Sequence, residues 1–206
     1  MNHSNCDFSP MKQIIKKEIR QVISELQSNL EAMDNEDYCL LGNFEKVKEH
    51  FISIDMKAAN FYLNCYLAPF TDKYPDLSMC VQNMSHRMHG GLIVIQREDS
   101  LDELIQPGIP IGADLTHSLL ESIFFPGNPL HDGAVMINAN QIVSAANVLP
   151  LSDRFFGDKK LGTRHRAALG LSERSDALAL VVSEETGRVS FGFKGNLYPV
   201  NTGRSY

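Results

Sequence analysis

The chain has 206 residues, 43% hydrophobic and 21% charged, with a formal net charge of -6. That length holds one medium domain plus an appendage and is enough to bury a real core. The acidic balance argues against a dedicated nucleic-acid coat, which needs a broad basic surface, but leaves room for a small anionic ligand gripped by a few arginines.

The first residues, Met1 to Pro10, are polar and include Asp7, so no signal peptide is expected. Ser9-Pro10 reads as an N-cap followed by proline at the first helical position, where its missing N–H costs nothing. Ile15, Ile19, Val22, Leu26, Leu30 and Met33 then recur in steps of three and four, until Asp34-Asn35-Glu36-Asp37 and Gly42-Asn43 interrupt the pattern. Phe44, Val47, Phe51, Ile54, Ala58, Phe61 and Cys65 resume it. Two such stripes predict a helical hairpin over residues 1–66, its apolar seams facing each other or another surface. One reading has the hairpin simply pack on the rest of the chain. The other has it govern assembly and thereby activity, because a short two-helix unit buries little alone and heptad-like spacing suits a neighbouring subunit.

Near residues 67–76 the texture changes. Leu77 to Met88 reads as a helix stopped by His89-Gly90-Gly91, and Leu92-Ile93-Val94-Ile95 as a strand buried on both faces. Ala113 to Phe125 resembles a helix capped by Asp114 or Thr116 and ended by Pro126-Gly127-Asn128-Pro129. Ala134 to Ile137 and Ile142 to Val148 read as strands joined by an Asn138-Ala139-Asn140 turn. His165 to Leu171 is a short helix, and Ala177 to Ser183 and Arg188 to Phe193 are two more strands joined at Glu185-Thr186-Gly187. The pattern predicts a mixed α/β (α+β) domain over residues 67–206, a central mixed sheet flanked by helices. Cys6, Cys39, Cys65 and Cys80 show no CxxC pair, a spacing that suits reduced thiols in a cytoplasmic protein. No apolar run approaches the roughly 18 to 20 residues that cross a bilayer.

Three segments could carry chemistry. Asn128-Pro129-Leu130-His131-Asp132-Gly133-Ala134 lies where a rigid turn enters a strand. Its histidine and acid suit a divalent metal or a proton, and its glycine allows close approach of a ligand; local turn hydrogen bonding is the competing reading. Gly162-Thr163-Arg164-His165-Arg166 opens a helix. A helix N-terminus attracts anions and arginine forks grip phosphates, although a solvated basic turn paired with Asp153 or Asp158 is the alternative. Val181-Val182-Ser183-Glu184-Glu185-Thr186-Gly187 puts a hydroxyl and carboxylates at a strand end, where they meet a nucleotide or serve the turn.

Taken in order with Leu149-Pro150-Leu151-Ser152, these segments closely resemble the diadenylate cyclase domain from about Leu77 to Leu197. The two N-terminal helices are similar to the soluble, sporulation-associated type. The resemblance implies condensation of two ATP into cyclic di-AMP with release of two pyrophosphates, by two domains facing each other in a homo-oligomer. It implies that Asp132 lies by the attacking 3′-hydroxyl, with Gly133 and Ala134 shaping the approach of ribose and phosphate. It further implies that Thr163, Arg164, His165, Arg166 and Ser183 hold phosphates, and that Leu149 lines the adenine pocket. His131, Asp132 and Glu185 would meet a divalent metal, Mg²⁺ or Mn²⁺. The N-terminal helices are expected to restrain activity through oligomerisation, with no nucleic-acid or membrane partner. A catalytically silent adenine-nucleotide sensor is the alternative, and the intact Asp132 argues against it.

Overall fold

The structure, a computed structural model, describes residues 9–34, 40–154 and 161–200. Asn35-Glu36-Asp37, Cys6, Cys39 and Asp158 lie outside the described residues. The chain divides into two compact units after Tyr62, four residues before the expected boundary at 66 and within a helix.

The first unit contains α1 (Ser9–Glu31), a single 3-10 turn (Ala32–Asp34) and most of α2 (Leu40–Leu67). Gly42-Asn43 does not interrupt α2, because the pair falls in its first turn, where the helix has few bonds to lose. His50 Nδ1 meets Glu25 Oε2 at 3.0 Å, and Lys57 pairs with Glu18. These pairs step seven residues along one helix and seven the opposite way along the other, so the helices run antiparallel. Val22 and Asn29 are buried on α1, yet Ile19, Leu26, Leu30 and Met33 of the same stripe stay 43–69% exposed, as do Phe44 and Phe51 on α2, at 48% and 63%. The seam between the helices thus takes only part of the apolar stripes.

In the second unit, the end of α2 leads to α3 (Tyr74–Arg87), β1 (Gly91–Ile95), β2 (Ile109–Asp114), α4 (His117–Ile123), β3 (Ala134–Asn138) and β4 (Gln141–Asn147). The chain continues through α5 (Thr163–Ser172), β5 (Leu178–Val182), β6 (Val189–Phe193) and β7 (Asn196–Val200). The strands form one sheet in the order β2-β4-β3-β1-β5-β6-β7. β1 runs parallel to β3 and every other neighbouring pair is antiparallel, so the sheet is mixed, as the texture of the sequence predicts. Among the described residues, no helix is long and apolar enough to cross a membrane.

β1 and β5 are fully buried along their length. Strand alternation turns Leu92, Val94, Ala179 and Val181 to one face, where they pack with Ala167, Ala168 and Leu171 of α5. Ile93, Ile95, Leu178 and Leu180 point to the opposite face. α3 and α4 are tied together by Asp76, whose Oδ1 accepts His117 N–H at 3.0 Å, and by Glu121, which accepts from Asn83 and Arg87. The α3 C-cap, Met88, is left-handed, which ends the helix just before the expected His89-Gly90-Gly91 stop.

Two expectations are corrected. Ala113 and Asp114 belong to β2 rather than to a helix; α4 starts only after Thr116, whose hydroxyl accepts Leu119 N–H at 3.2 Å and is the cap. Cys80 is a free buried thiol, raised in pKa by its burial, but Cys65 is disulfide-bonded. Pairing depends on distance in the fold, which spacing along the chain does not reveal.

Candidate active site

Strand register gathers the expected segments. Gly91, the first residue of β1, pairs with Val182, the last of β5, and Ala134, the first of β3, pairs with Asn147, the last of β4. Because β1 and β3 are parallel, all four of these ends lie along one end of the sheet. Into it run Leu130 to Gly133, and out of it run Val148 to Ser152 and Ser183 to Gly187. The first turn of α5 reaches the same end, where Arg164 Nη1 donates to Glu184 Oε2 at 2.7 Å.

The Asp132-Gly133-Ala134 corner is built tightly. Gly133 has φ of +107°, and a Cβ there would stand 2.7 Å from the Asn147 carbonyl oxygen, so both conformation and space demand glycine. Ala146, opposite, is itself left-handed at φ of +57°, beside a bulge in the β3–β4 register. Asn147, 2% exposed, makes three bonds: its Nδ2 donates to Ala134 O at 2.8 Å, and its Oδ1 accepts from Gly108 N–H and Ser144 Oγ at 2.8 and 2.9 Å. A buried amide this fully satisfied pins the start of β3. Asp132 projects from that corner exposed, with no hydrogen-bond or ion-pair partner among the described residues.

His131 Nδ1 lies 2.6 Å from Asn128 O. A carbonyl only accepts, so Nδ1 is the donor; in the neutral ring Nε2 then keeps its lone pair, the tautomer in which a histidine binds metal. Among the described residues, no three His, Cys, Asp or Glu side chains form a group that could hold a metal. His131, Asp132 and Glu185 are therefore not gathered into one cage. The pKa of His165 is lowered from its ordinary value by burial and partly raised again by the Glu185 charge.

The α5 segment divides its tasks. Its N-cap, Gly162, offers no side-chain bond, so the first N–H groups of the helix are left for another acceptor. Arg166 is taken up by the neighbouring segment: its Nε and Nη2 donate to Ser152 O at 3.3 and 3.1 Å, while Ser152 N–H donates to Arg166 O at 3.0 Å. Arg166 thereby secures the Leu149–Ser152 segment. Leu149 is 6% exposed and packs in the core with Ala167 and Ala168, whereas Val148 and Leu151 beside it present apolar surface. Ser183 Oγ accepts Thr186 N–H at 3.3 Å, the turn chemistry its sequence also allowed, and its own proton remains available to donate. Ser85 Oγ donates to Gly187 O at 2.6 Å and ties this turn to α3.

Sequence reasoning did not single out Asn147, Ser85, Glu184 or Gly90. Only Glu184 and Gly90 sat in quoted motifs, and nothing local distinguished them from turn residues. An open cleft of about 950 Å³ lies beside this end of the sheet, lined by α3, α4 and Phe125 to Pro129. It shares only Asn128 and Pro129 with the motifs.

Two families match. The one described as "DisA bacterial checkpoint controller nucleotide-binding" covers residues 78–197, and the one described as "Diadenylate cyclase CdaS, N-terminal" covers residues 2–70. The chain is 49% identical over 191 residues to diadenylate cyclase CdaS of Bacillus thuringiensis, covering 91% of this chain and 95% of that one. It is 42% identical to cyclic di-AMP synthase CdaS of Bacillus subtilis, covering 100% of this chain and 99% of that one. A Bacillus cereus crystal structure, called a hypothetical membrane spanning protein, superposes with a TM-score of 0.80 at 48% identity, over 94% of this chain and 95% of that one.

Proposed function

Because this chain belongs to the diadenylate cyclase family, we propose that it condenses two ATP molecules into cyclic di-AMP and two pyrophosphates, each ATP held by one of two facing subunits. In each half-reaction a 3′-oxygen forms a bond to the α-phosphorus of the other ATP. The bond from that phosphorus to the bridging oxygen breaks, and pyrophosphate leaves with the electron pair. Two such steps close the ring. One domain presents a single motif set at a single sheet end, so the second nucleotide must come from another copy.

The observation that carries this reading is the convergence of four motif segments at one end of the sheet, around an exposed Asp132 with no partner among the described residues. Asp132 accepts the proton of the 3′-hydroxyl as attack proceeds, and Gly133 and Ala134 admit the ribose and phosphate closely. The uncapped first turn of α5, Thr163 included, and the Arg164 guanidinium receive the triphosphate; Ser183 donates its hydroxyl proton to it. Leu149 forms the floor under the adenine, and Arg166 holds the segment that carries it.

The donor set fits a divalent cation shared with the substrate. His131 offers a free Nε2 and Asp132 a free carboxylate, and magnesium-type ions characteristically take one or two protein donors plus phosphate oxygens. A bound Mg²⁺ or Mn²⁺ supplies charge compensation for the departing pyrophosphate.

Incubating the protein with ATP and Mn²⁺ tests the function, with cyclic di-AMP as the expected product. Tight ATP binding without product would favour the silent-sensor reading instead. The N-terminal helices restrain this activity by holding subunits in an arrangement that limits facing pairs; the exposed stripe of α1 and α2 supports an assembly role. Removing residues 1–62 is expected to lower the mass in solution and raise turnover. Unchanged mass and activity would reduce the hairpin to a packing element.

A further inference from the structure

Arg164 and Glu184 sit on different elements, the first turn of α5 and the segment leaving β5, and meet at 2.7 Å. The arginine side chain is 22% exposed and the glutamate 64%. A half-exposed ion pair contributes little to stability, so folding does not account for it. The pair lies against the backbone that leads into β1: a Cβ on Gly90 would fall 2.4 Å from Arg164 Nη1 and 2.9 Å from both Cβ and Oε2 of Glu184. Gly90 has no positive φ, so it is required here for space and not for conformation. With Nη1 tied to Glu184, the remaining N–H groups of the fork have no partner among the described residues.

We propose that Glu184 is a positioning residue, aiming Arg164 across Gly90 so that its free N–H groups meet the triphosphate; this rests on the cyclase reading above. Arginine carries a flexible stem, and fixing its planar fork beforehand removes an ordering cost from the reaction. The carboxylate also places a negative charge near the phosphates, which weakens ATP binding. Positioning by such a group therefore has a signature of its own: its loss lowers kcat without raising KM.

The test is steady-state cyclic di-AMP synthesis and ATP titration on the full chain. Glu184→Ala is expected to lower kcat about ten- to hundredfold, the scale of an ångström's misplacement, with KM equal or lower. Glu184→Gln, whose amide oxygen still accepts from Arg164, is expected to recover most of that loss, and it also serves if the alanine variant does not fold. Gly90→Ala, which displaces the pair without removing a charge, is expected to mimic Glu184→Ala. Arg164→Ala combined with Glu184→Ala should be no slower than Arg164→Ala alone. A kcat for Glu184→Ala within twofold of the unaltered protein, a loss confined to KM, or losses that multiply in the double variant would overturn the proposal. If the unaltered protein makes no cyclic di-AMP, the functional reading fails by itself. ATP titration of the same variants then decides the pairing: a change in ATP affinity on Glu184→Ala that disappears when Arg164 is already alanine keeps it, and an effect that is the same with and without Arg164 overturns it.

Discussion

The hairpin and the sheet solve the burial of apolar residues in opposite ways. On α1, Leu26 and Leu30 are 43% and 69% exposed, whereas no residue of Leu92 to Ile95 or Leu178 to Val182 exceeds 2%. Two antiparallel helices have one mutual seam, and here charged pairs and Asn29 take part of it. The sheet has a helical layer on α5's side and further apolar residues facing away from it, so its central strands leave nothing open. The region that closes its own core also gathers the motif segments, and the region that does not keeps apolar surface exposed.

The sharpest test of that division is chemical. Asp132→Asn, outside both cores, is expected to lower cyclic di-AMP formation about 10²–10⁴-fold, the usual worth of a positioned acid–base group, with an unchanged melting temperature. Normal turnover would remove Asp132 from the site.

Core substitutions come next. Leu180→Ala is expected to destabilise the second unit by about 2–5 kcal/mol in urea unfolding. Leu30→Ala in the hairpin should stay within about 0.5 kcal/mol at low protein concentration, as exposed positions do. Equal losses would break the comparison between the two regions. A concentration-dependent loss at Leu30 would sharpen it, because it would show the stripe buried by another copy.

Asn147→Ala removes the bonds to Ala134, which is buried, and to Gly108, which is half-buried, costing about 1–3 kcal/mol. Since those bonds set the Gly133–Ala134 backbone, kcat is expected to fall more than unfolding free energy predicts. A stability loss with unaltered kcat at a temperature where the variant stays folded would confine Asn147 to the scaffold.

The smallest effect is the titration of His165. Burial holds its folded pKa below the ordinary 6.5, while the unfolded ring recovers that value. The unfolded state then binds the proton first, so this contribution to stability is complete above about 6.5 and declines as pH falls below it. Unfolding measured across that range should show the decline in the unaltered protein and lose it in His165→Gln. An NMR titration midpoint for His165 at or above 6.5 would contradict the assignment.

Much of this was legible beforehand. The unbroken apolar runs of β1 and β5, the Asn138-Ala139-Asn140 turn and the short α5 helix all stand where their local chemistry puts them. The two strands not anticipated, β2 and β7, are the two edges of the sheet. Each carries a proline, Pro110 or Pro199, and β2 adds Gly112 and a shift in register. An edge strand is paired on one side and largely exposed, so it needs no apolar run and tolerates proline, which erases the signal that marks central strands.

The candidate site divides along the same line. Order and residue type along the chain were sufficient to pick out the segments of Asp132, Arg164 and Ser183, which the sheet brings to one end. How the two arginines divide required the fold: Arg166 turns to Ser152 and Arg164 to Glu184, choices made by segments 14 and 20 residues away. Asn147 and Gly90 were equally silent, since what they do depends on atoms of distant segments brought close by the fold. Local pattern determines which face of an element is buried and where it turns. The directions of side chains at the meeting of several elements are set by contacts distant in sequence, and those exist only once the sheet has assembled.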